Sequence, residues 1–328
     1  MTSDAERPWS GHGGRLSAAR RRYADAPGPW LDLSTGINPH PWPGAQQIAI
    51  DWRSLPDEEA LALLEAVAAR YFGINARRLC AVPGSEIGLR LLGDLLPGSA
   101  AHVAPSYRTH AEMISGSRPF AHGDVAASTA RTVIVANPNN PDGKLFAPGD
   151  LSAVFASGRT LVVDEAFADA VPEASIADRV DDDRPLIIVR SFGKFFGLAG
   201  VRLGFVLGPQ SLIDRLRAKL GSWPVSAAAL AIGTDAYRDH DWIAAMRLRL
   251  REDAAALDDV LARHAYRPMG ACPLFRLIET DDAAALFDRL AARAILTRPF
   301  DYAPRWLRIG LPGSAEALAR LDRALADG

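Results

Sequence analysis

The chain has 328 residues, 48% of them hydrophobic and 23% charged, with a formal net charge of −2. That balance belongs to a globular protein with material for one large domain and a smaller one. It carries no electrostatic footprint for nucleic acid or for an anionic membrane surface.

The two cysteines, Cys80 and Cys272, are too far apart for a metal or redox motif and read as reduced core residues. The polar N-terminus, Met1-Thr2-Ser3-Asp4-Ala5-Glu6-Arg7, lacks the apolar segment of a signal peptide. No apolar run approaches the ~18 residues of a membrane helix. The expectation is a cytoplasmic protein without a metal site.

Residues 1–30 read as an arm rich in Gly, Pro and Arg, with a short helical stretch at 16–23. Asp57-Glu58-Glu59 opens a helix whose apolar positions Leu61, Leu64, Val67 and Ala68 follow the period of about 3.6. A strand-like piece at 79–82 precedes Pro83-Gly84-Ser85, and the next helix carries Ile87, Leu91, Leu92 and Leu95. Short apolar runs bounded by turn residues follow at 101–104, 132–136, 160–163, 186–189 and 203–207. Buried runs alternating with helices predict an α/β fold, a three-layer sandwich around a parallel-rich mixed sheet covered on both faces.

Past Pro209 the pattern changes to long helices at 212–220, 226–237 and 241–264. Strand-like pieces at 274–278, 294–297 and 306–309 then mix with helices at 282–293 and 314–326. This predicts a small α+β C-terminal domain. The expected division is an arm at 1–30, a large domain at 31–235 and a small domain at 236–328.

Lysine is scarce: only Lys144, Lys194 and Lys219 occur. Lys194 lies in Ser191-Phe192-Gly193-Lys194-Phe195-Phe196-Gly197, between the apolar runs 186–189 and 205–207. An amine between two buried strands is costly unless it has chemistry to do. Desolvation favours the neutral, nucleophilic amine, the usual preparation for a Schiff base. Ser191 and Arg202 bracket it at spacings that suit a phosphate.

Other motifs in the large domain describe the same ligand. Gly84-Ser85-Glu86 follows a strand-like piece and opens a helix, offering backbone N–H groups and a dipole to an anion. Neither Gly143-Lys144 nor Gly193-Lys194 is followed by Ser or Thr, so no Walker motif competes. Asp164 ends the run Leu161-Val162-Val163, where α/β sheets place their ligands. A buried carboxylate there needs a cationic or hydrogen-bonded partner, and a protonated pyridine nitrogen would serve. The turn Asn137-Pro138-Asn139-Asn140-Pro141-Asp142-Gly143 could aim amides at a phenolate-like oxygen. Tyr107 is placed to stack on a flat ring.

In order and spacing, Gly84-Ser85-Glu86, Tyr107, Asn137 to Gly143, Asp164-Glu165-Ala166-Phe167, Ser191 to Lys194 and Arg202-Leu203-Gly204 resemble the fold-type I aminotransferases that use pyridoxal phosphate. The resemblance spans nearly the whole chain and implies the aspartate-aminotransferase-like architecture for the large domain. It implies a Schiff base on Lys194 and Asp164 paired with the pyridine nitrogen. It gives Asn140 the ring hydroxyl, Tyr107 the ring face, and Ser85, Ser191 and Arg202 the cofactor phosphate. Arg308 matches the family arginine that grips the substrate α-carboxylate.

His12-Gly13-Gly14-Arg15, with Leu31-Asp32-Leu33-Ser34-Thr35-Gly36-Ile37-Asn38-Pro39, looks like the threonine-phosphate decarboxylase branch of cobalamin biosynthesis. That branch implies decarboxylation of L-threonine O-3-phosphate to aminopropanol phosphate. It puts His12 and Arg298 on the substrate phosphate, with Asn38 also at the substrate. The alternative is transamination, as in the related histidinol-phosphate aminotransferases, with the same residues. Family resemblance also implies a homodimer. Two positions depart from the broader pattern: Phe167 and Leu55 stand where relatives tend to carry Tyr.

Overall fold

The computed structural model describes Trp9, residues 12–96 and residues 98–326. These residues hold the strands β1 (Leu31–Asp32), β2 (Leu79–Val82), β3 (Ala100–Val103), β4 (Arg118–Phe120), β5 (Thr132–Ala136), β6 (Thr160–Asp164), β7 (Leu186–Ser191), β8 (Gly204–Leu207), β9 (Phe275–Glu279), β10 (Ile295–Leu296), β11 (Arg298–Phe300) and β12 (Ala303–Gly310). Two compact units result: Pro41–Met246 forms one, and Met1–His40 with Arg247–Gly328 forms the other. No helix among the described residues is long and apolar enough to cross a membrane.

The unit Pro41–Met246 is built on a seven-stranded sheet in the order β2-β8-β7-β6-β5-β3-β4. Strands β4, β3, β5, β6 and β7 run parallel, and β8 runs antiparallel to both β7 and β2. The apolar runs behave as fully buried parallel strands do: Val133, Ile134, Val135, Leu161, Val162, Val163, Ile188 and Val189 are each 0% exposed. Full burial of each such side chain contributes about 1.5–3 kcal/mol. One face of the sheet receives the helices Ser85–Leu95 and Gln210–Leu220, whose Leu89, Leu92, Ile213 and Leu216 join Ile134, Val162 and Val189 in one core.

The other unit is α+β. Its three-stranded antiparallel sheet has the order β11-β12-β9, and β1 pairs parallel with β10. The expected boundaries at residues 30 and 235 differ from this division, which falls at His40 and Met246. The reason is hydrogen bonding: Leu31 N donates to Ala294 O (2.9 Å) and Leu33 N to Leu296 O (2.7 Å). Those bonds tie residues 31–40 to the C-terminal part of the chain. Strands β1, β4 and β11 were absent from the sequence reading because two or three residues are too few to show a period.

Candidate active site

Strands β3, β5, β6 and β7 are parallel, so their C-terminal ends share one edge of the sheet. Tyr107 follows β3, the turn 137–143 follows β5, Asp164 ends β6, and Ser191 ends β7 and leads into the short helix Phe192–Phe195 that carries Lys194. Topology therefore gathers the candidates that were scattered in sequence, and it places them where open α/β sheets bind ligands.

Asp164 is 6% exposed. Its Oδ1 accepts from Ala166 N (3.1 Å), and its Oδ2 lies 3.0 Å from His110 Nε2. His110 is fully buried on the helix Arg108–Glu112, and its Nδ1 has no hydrogen-bond partner among the described residues. Sequence reasoning missed this histidine. Its spacing from Tyr107 is the one signal that could have found it, since one helical turn brings the Tyr107 and His110 rings to 5.8 Å at 83°.

The phosphate cradle is shaped by close backbone approach. Gly84 has φ +93°, outside the range most residues adopt, and a Cβ there would lie 2.6 Å from Arg202 Nη2. The chain then enters the helix Ser85–Leu95 with free N–H groups. Gly204, paired with both Val82 and Ser191, brings a third segment to the same place. A Cβ on Gly204 would lie 2.6 Å from Ser85 N and 2.8 Å from Arg190 O. Gly84, Ser85, Ser191 and Arg202 are thus brought together.

The asparagine turn resolves into separate roles. Asn137 donates to Ala174 O (2.8 Å) and accepts from Phe146 N (3.0 Å). Asn139 donates to Pro105 O (3.0 Å) and Asp142 Oδ1 (2.7 Å). Both are buried and hold the turn, while Asn140 is half-buried and is the amide nearest to solvent. Glu86 also has a supporting place. It accepts from Thr109 Oγ1 (3.0 and 2.9 Å) and from Arg90 Nε (2.9 Å). Burial opposes its ionisation, but hydrogen bonds from Arg90, Thr109 and Tyr107 hold its carboxyl below the usual range. Burial and the Glu86 charge push the Tyr107 phenol up to about 12. Phe167 is 5% exposed, with Lys194 Nζ 5.9 Å from its ring centroid.

Behind this edge lies a buried ionic group that sequence reasoning did not find. Arg190 Nη1 donates to Glu165 Oε2 (2.6 Å), and Arg190 Nη2 pairs with Asp169. Glu165 also accepts from Ser175 Oγ (2.6 Å) and Ile176 N (2.8 Å). Successive residues of an extended chain point to opposite faces. Glu165 and Arg190 can therefore lock the strand ends while their neighbours Asp164 and Ser191 face the other way.

Pyridoxal phosphate, the cofactor the resemblance implies, fits this set of donors. The cradle at Gly84 is one a Cβ would fill, with a guanidinium beside it. The carboxylate of Asp164 is buried and oriented by two hydrogen bonds. Burial pushes the Cys80 and Cys272 thiols up to about 12, so neither competes as a nucleophile.

In the other unit, Arg298 and Arg308 are register partners on antiparallel β11 and β12, so their side chains share a face. Arg308 is 4% exposed, lies over the Phe275 ring at 5.0 Å, and donates from Nη2 to Ser34 O (2.8 Å). Burial, then the neighbouring Arg298 charge, push its guanidinium down to about 9. Asn38 is 2% exposed and accepts from His40 N (2.8 Å). His12 is half-buried, and the glycines after it pack on Ser34: Gly14 N donates to Ser34 Oγ (2.8 Å). Residues 12–14, 34–38, 298 and 308, remote in sequence, belong to this one unit.

A family model described as aminotransferase class I and II matches residues 121–325. The chain is 42% identical to a threonine-phosphate decarboxylase of Sinorhizobium sp., over 96% of this chain and 97% of that one. It is 40% identical to the threonine-phosphate decarboxylase of Pseudomonas aeruginosa, over 96% of each. Among solved structures, the histidinol-phosphate aminotransferase of Sinorhizobium meliloti in complex with pyridoxal-5'-phosphate superposes with a TM-score of 0.83. That likeness covers 95% of this chain and 93% of the other at 20% identity, and it speaks for the fold alone.

Proposed function

The chain belongs to the aminotransferase class I and II family, and within it we propose that the protein converts L-threonine O-3-phosphate to aminopropanol phosphate and carbon dioxide. The observation that carries this reading is that Arg298 and Arg308 are register partners across β11 and β12, so two guanidiniums share one face. A substrate bearing both a carboxylate and a phosphate offers one anion to each. The identity to two threonine-phosphate decarboxylases over nearly the full chain supports it.

Pyridoxal phosphate, when bound, supplies the electron sink for the carbanion left by the departing carboxylate. The protein's own residues do the rest. Lys194 offers the amine for covalent attachment and afterwards the proton that Cα takes up. Asp164, oriented by His110, would pair with the pyridine nitrogen. Asn140 and Tyr107 serve the ring, while Ser85, Ser191, Arg202 and the N–H groups opening the helix Ser85–Leu95 hold the cofactor phosphate. Arg308 takes the substrate carboxylate, and Arg298 and His12 take the substrate phosphate. Orientation is the main contribution, because the bond that stands perpendicular to the ring is the bond that breaks.

The same proposal places the product in the nucleotide loop of cobalamin and the enzyme in the cytoplasm as a homodimer. Trp52 (77% exposed) and Leu55 (67%) support the dimer, as apolar surface that a second copy would cover. The deciding assay incubates holoenzyme with L-threonine O-3-phosphate and no keto acid, then measures carbon dioxide and the amine. Stoichiometric release of both is expected. Amino transfer from histidinol phosphate to 2-oxoglutarate, with no carbon dioxide from threonine phosphate, would overturn the reading.

A further inference from the structure

Ser34 uses each of its polar groups, and together they reach three places in its unit: Asp32, Gly14 and Arg308. The hydroxyl donates to Asp32 Oδ1 (2.6 Å) and accepts from Gly14 N (2.8 Å). The backbone N–H also donates to Asp32 Oδ1 (2.9 Å), and the carbonyl accepts from Arg308 Nη2 (2.8 Å). The residue is 1% exposed, and its bond to Arg308 is buried, while those to Gly14 and Asp32 are part-buried.

The segment His12-Gly13-Gly14 is pressed against the same carbonyl. A Cβ on Gly13 would lie 2.4 Å from Ser34 O, a distance that real side chains essentially never show, and 3.1 Å from Thr35 Cγ2. Glycine at position 13 is therefore a condition of the segment lying there. Gly310, two residues after Arg308, makes the matching approach from the other side: its N–H donates to Leu33 O (2.8 Å), and a Cβ would lie 2.4 Å from Thr35 O. Strand β12 and the N-terminal segment thus close on the residues 33–35 from two directions.

We propose that Ser34 is a positioning residue that holds the His12 segment and the Arg308 guanidinium in one register, and that its hydroxyl, through the segment, sets recognition of the substrate phosphate. This deepens the decarboxylase reading and rests on it for the identity of the substrate. The two functions of Ser34 are separable. The carbonyl serves Arg308 and survives any substitution of the side chain, whereas the hydroxyl serves the segment and its neighbour Asp32. Removing the hydroxyl should weaken phosphate binding and spare the carboxylate.

The test uses holoenzyme and two variants, S34A and G13A, with calorimetric titration of inorganic phosphate and, separately, of unphosphorylated L-threonine. S34A removes the hydroxyl and keeps the glycine; G13A keeps the hydroxyl and drives the segment off by its added Cβ. Gly13 lies outside every helix and strand, and thermal unfolding of G13A checks that the fold persists. S34A is expected to raise the phosphate Kd about tenfold, the effect of losing one hydrogen bond, with the L-threonine Kd changed less than about threefold. G13A, whose added Cβ presses on the carbonyl that holds Arg308, is expected to weaken both ligands. With L-threonine O-3-phosphate, the S34A KM should rise by about the phosphate factor while kcat stays within about twofold. Unchanged phosphate affinity in both variants, or equal loss of both ligands in S34A, would overturn the proposal. If wild-type enzyme releases no carbon dioxide from threonine phosphate, the functional reading fails instead, and the phosphate titration still decides the role of Ser34.

Discussion

Replacing Arg190 by Met would strand two carboxylates in the core. Glu165 is 0% exposed and Asp169 1%, and both pair with this guanidinium. Methionine matches the length of the arginine stem but supplies no charge and no donor. Removing one partner of a buried pair costs about 3–5 kcal/mol, a large share of the roughly 5–15 kcal/mol that holds a typical domain together. The loss should depend on pH. Burial raises the Glu165 carboxyl above its ordinary range, and Arg190 is the largest influence lowering it. Without Arg190 it rises further. A carboxyl whose folded value exceeds its unfolded value contributes stability below the unfolded value and loses it as pH rises through the folded one. The R190M penalty should therefore be full at pH 8 and smaller at pH 5. Thermal and guanidinium unfolding at both values measure it, and a triple variant with E165M and D169L should recover most of the loss. A penalty below about 1 kcal/mol at pH 8, or one that grows toward pH 5, would refute the reasoning.

Two further outcomes bear on the cofactor. In wild-type enzyme reduced with borohydride, mass spectrometry should find the cofactor on the peptide carrying Lys194; in K194A, no peptide should carry it, and label on Lys144 or Lys219 would displace the assignment. G84A forces a side chain into the φ +93° conformation and against Arg202, a strain of about 1–3 kcal/mol. Fluorescence titration should show pyridoxal phosphate binding weakened about tenfold or more, and unchanged affinity would separate Gly84 and Arg202 from the phosphate cradle.

The candidate cofactor residues are legible in the sequence because each is marked locally. Asp164 ends an apolar run, Ser191 follows one, Gly84 precedes a helix, and Lys194 sits in a glycine-rich connection between strands. Their convergence follows from the mixed sheet, in which antiparallel β8 brings β2 beside β7. Residues that act through a partner were not legible. His110 meets Asp164 across 54 positions, and nothing near either residue announces the other. Arg190 did leave a trace, a charge at the end of Leu186-Ile187-Ile188-Val189, and a fully buried run cannot carry a cation without a counter-ion. The three asparagines of the turn were indistinguishable in sequence, because their roles depend on which carbonyls surround them. Domain limits were blurred for a related reason: a two-residue strand, β1, decides where residues 31–40 belong.

In the proposed function, the residues that choose between decarboxylation and transamination are distinct from those assigned to the cofactor. Lys194, Asp164 and Arg202 suit either reaction, since both draw on the same electron sink. What differs is which substituent of Cα is held out of the ring plane, and that is set by the groups gripping the substrate's anions. Those groups, Arg298, Arg308 and His12, all belong to the unit formed by the two ends of the chain. Ser34 joins these ends, with its hydroxyl on the segment after His12 and its carbonyl on Arg308. A shift of that serine would move the anion contacts without disturbing any cofactor contact, so reaction specificity can be tested independently of cofactor binding. A variant that binds pyridoxal phosphate normally yet partitions more turnover to transamination would locate bond selection at Ser34.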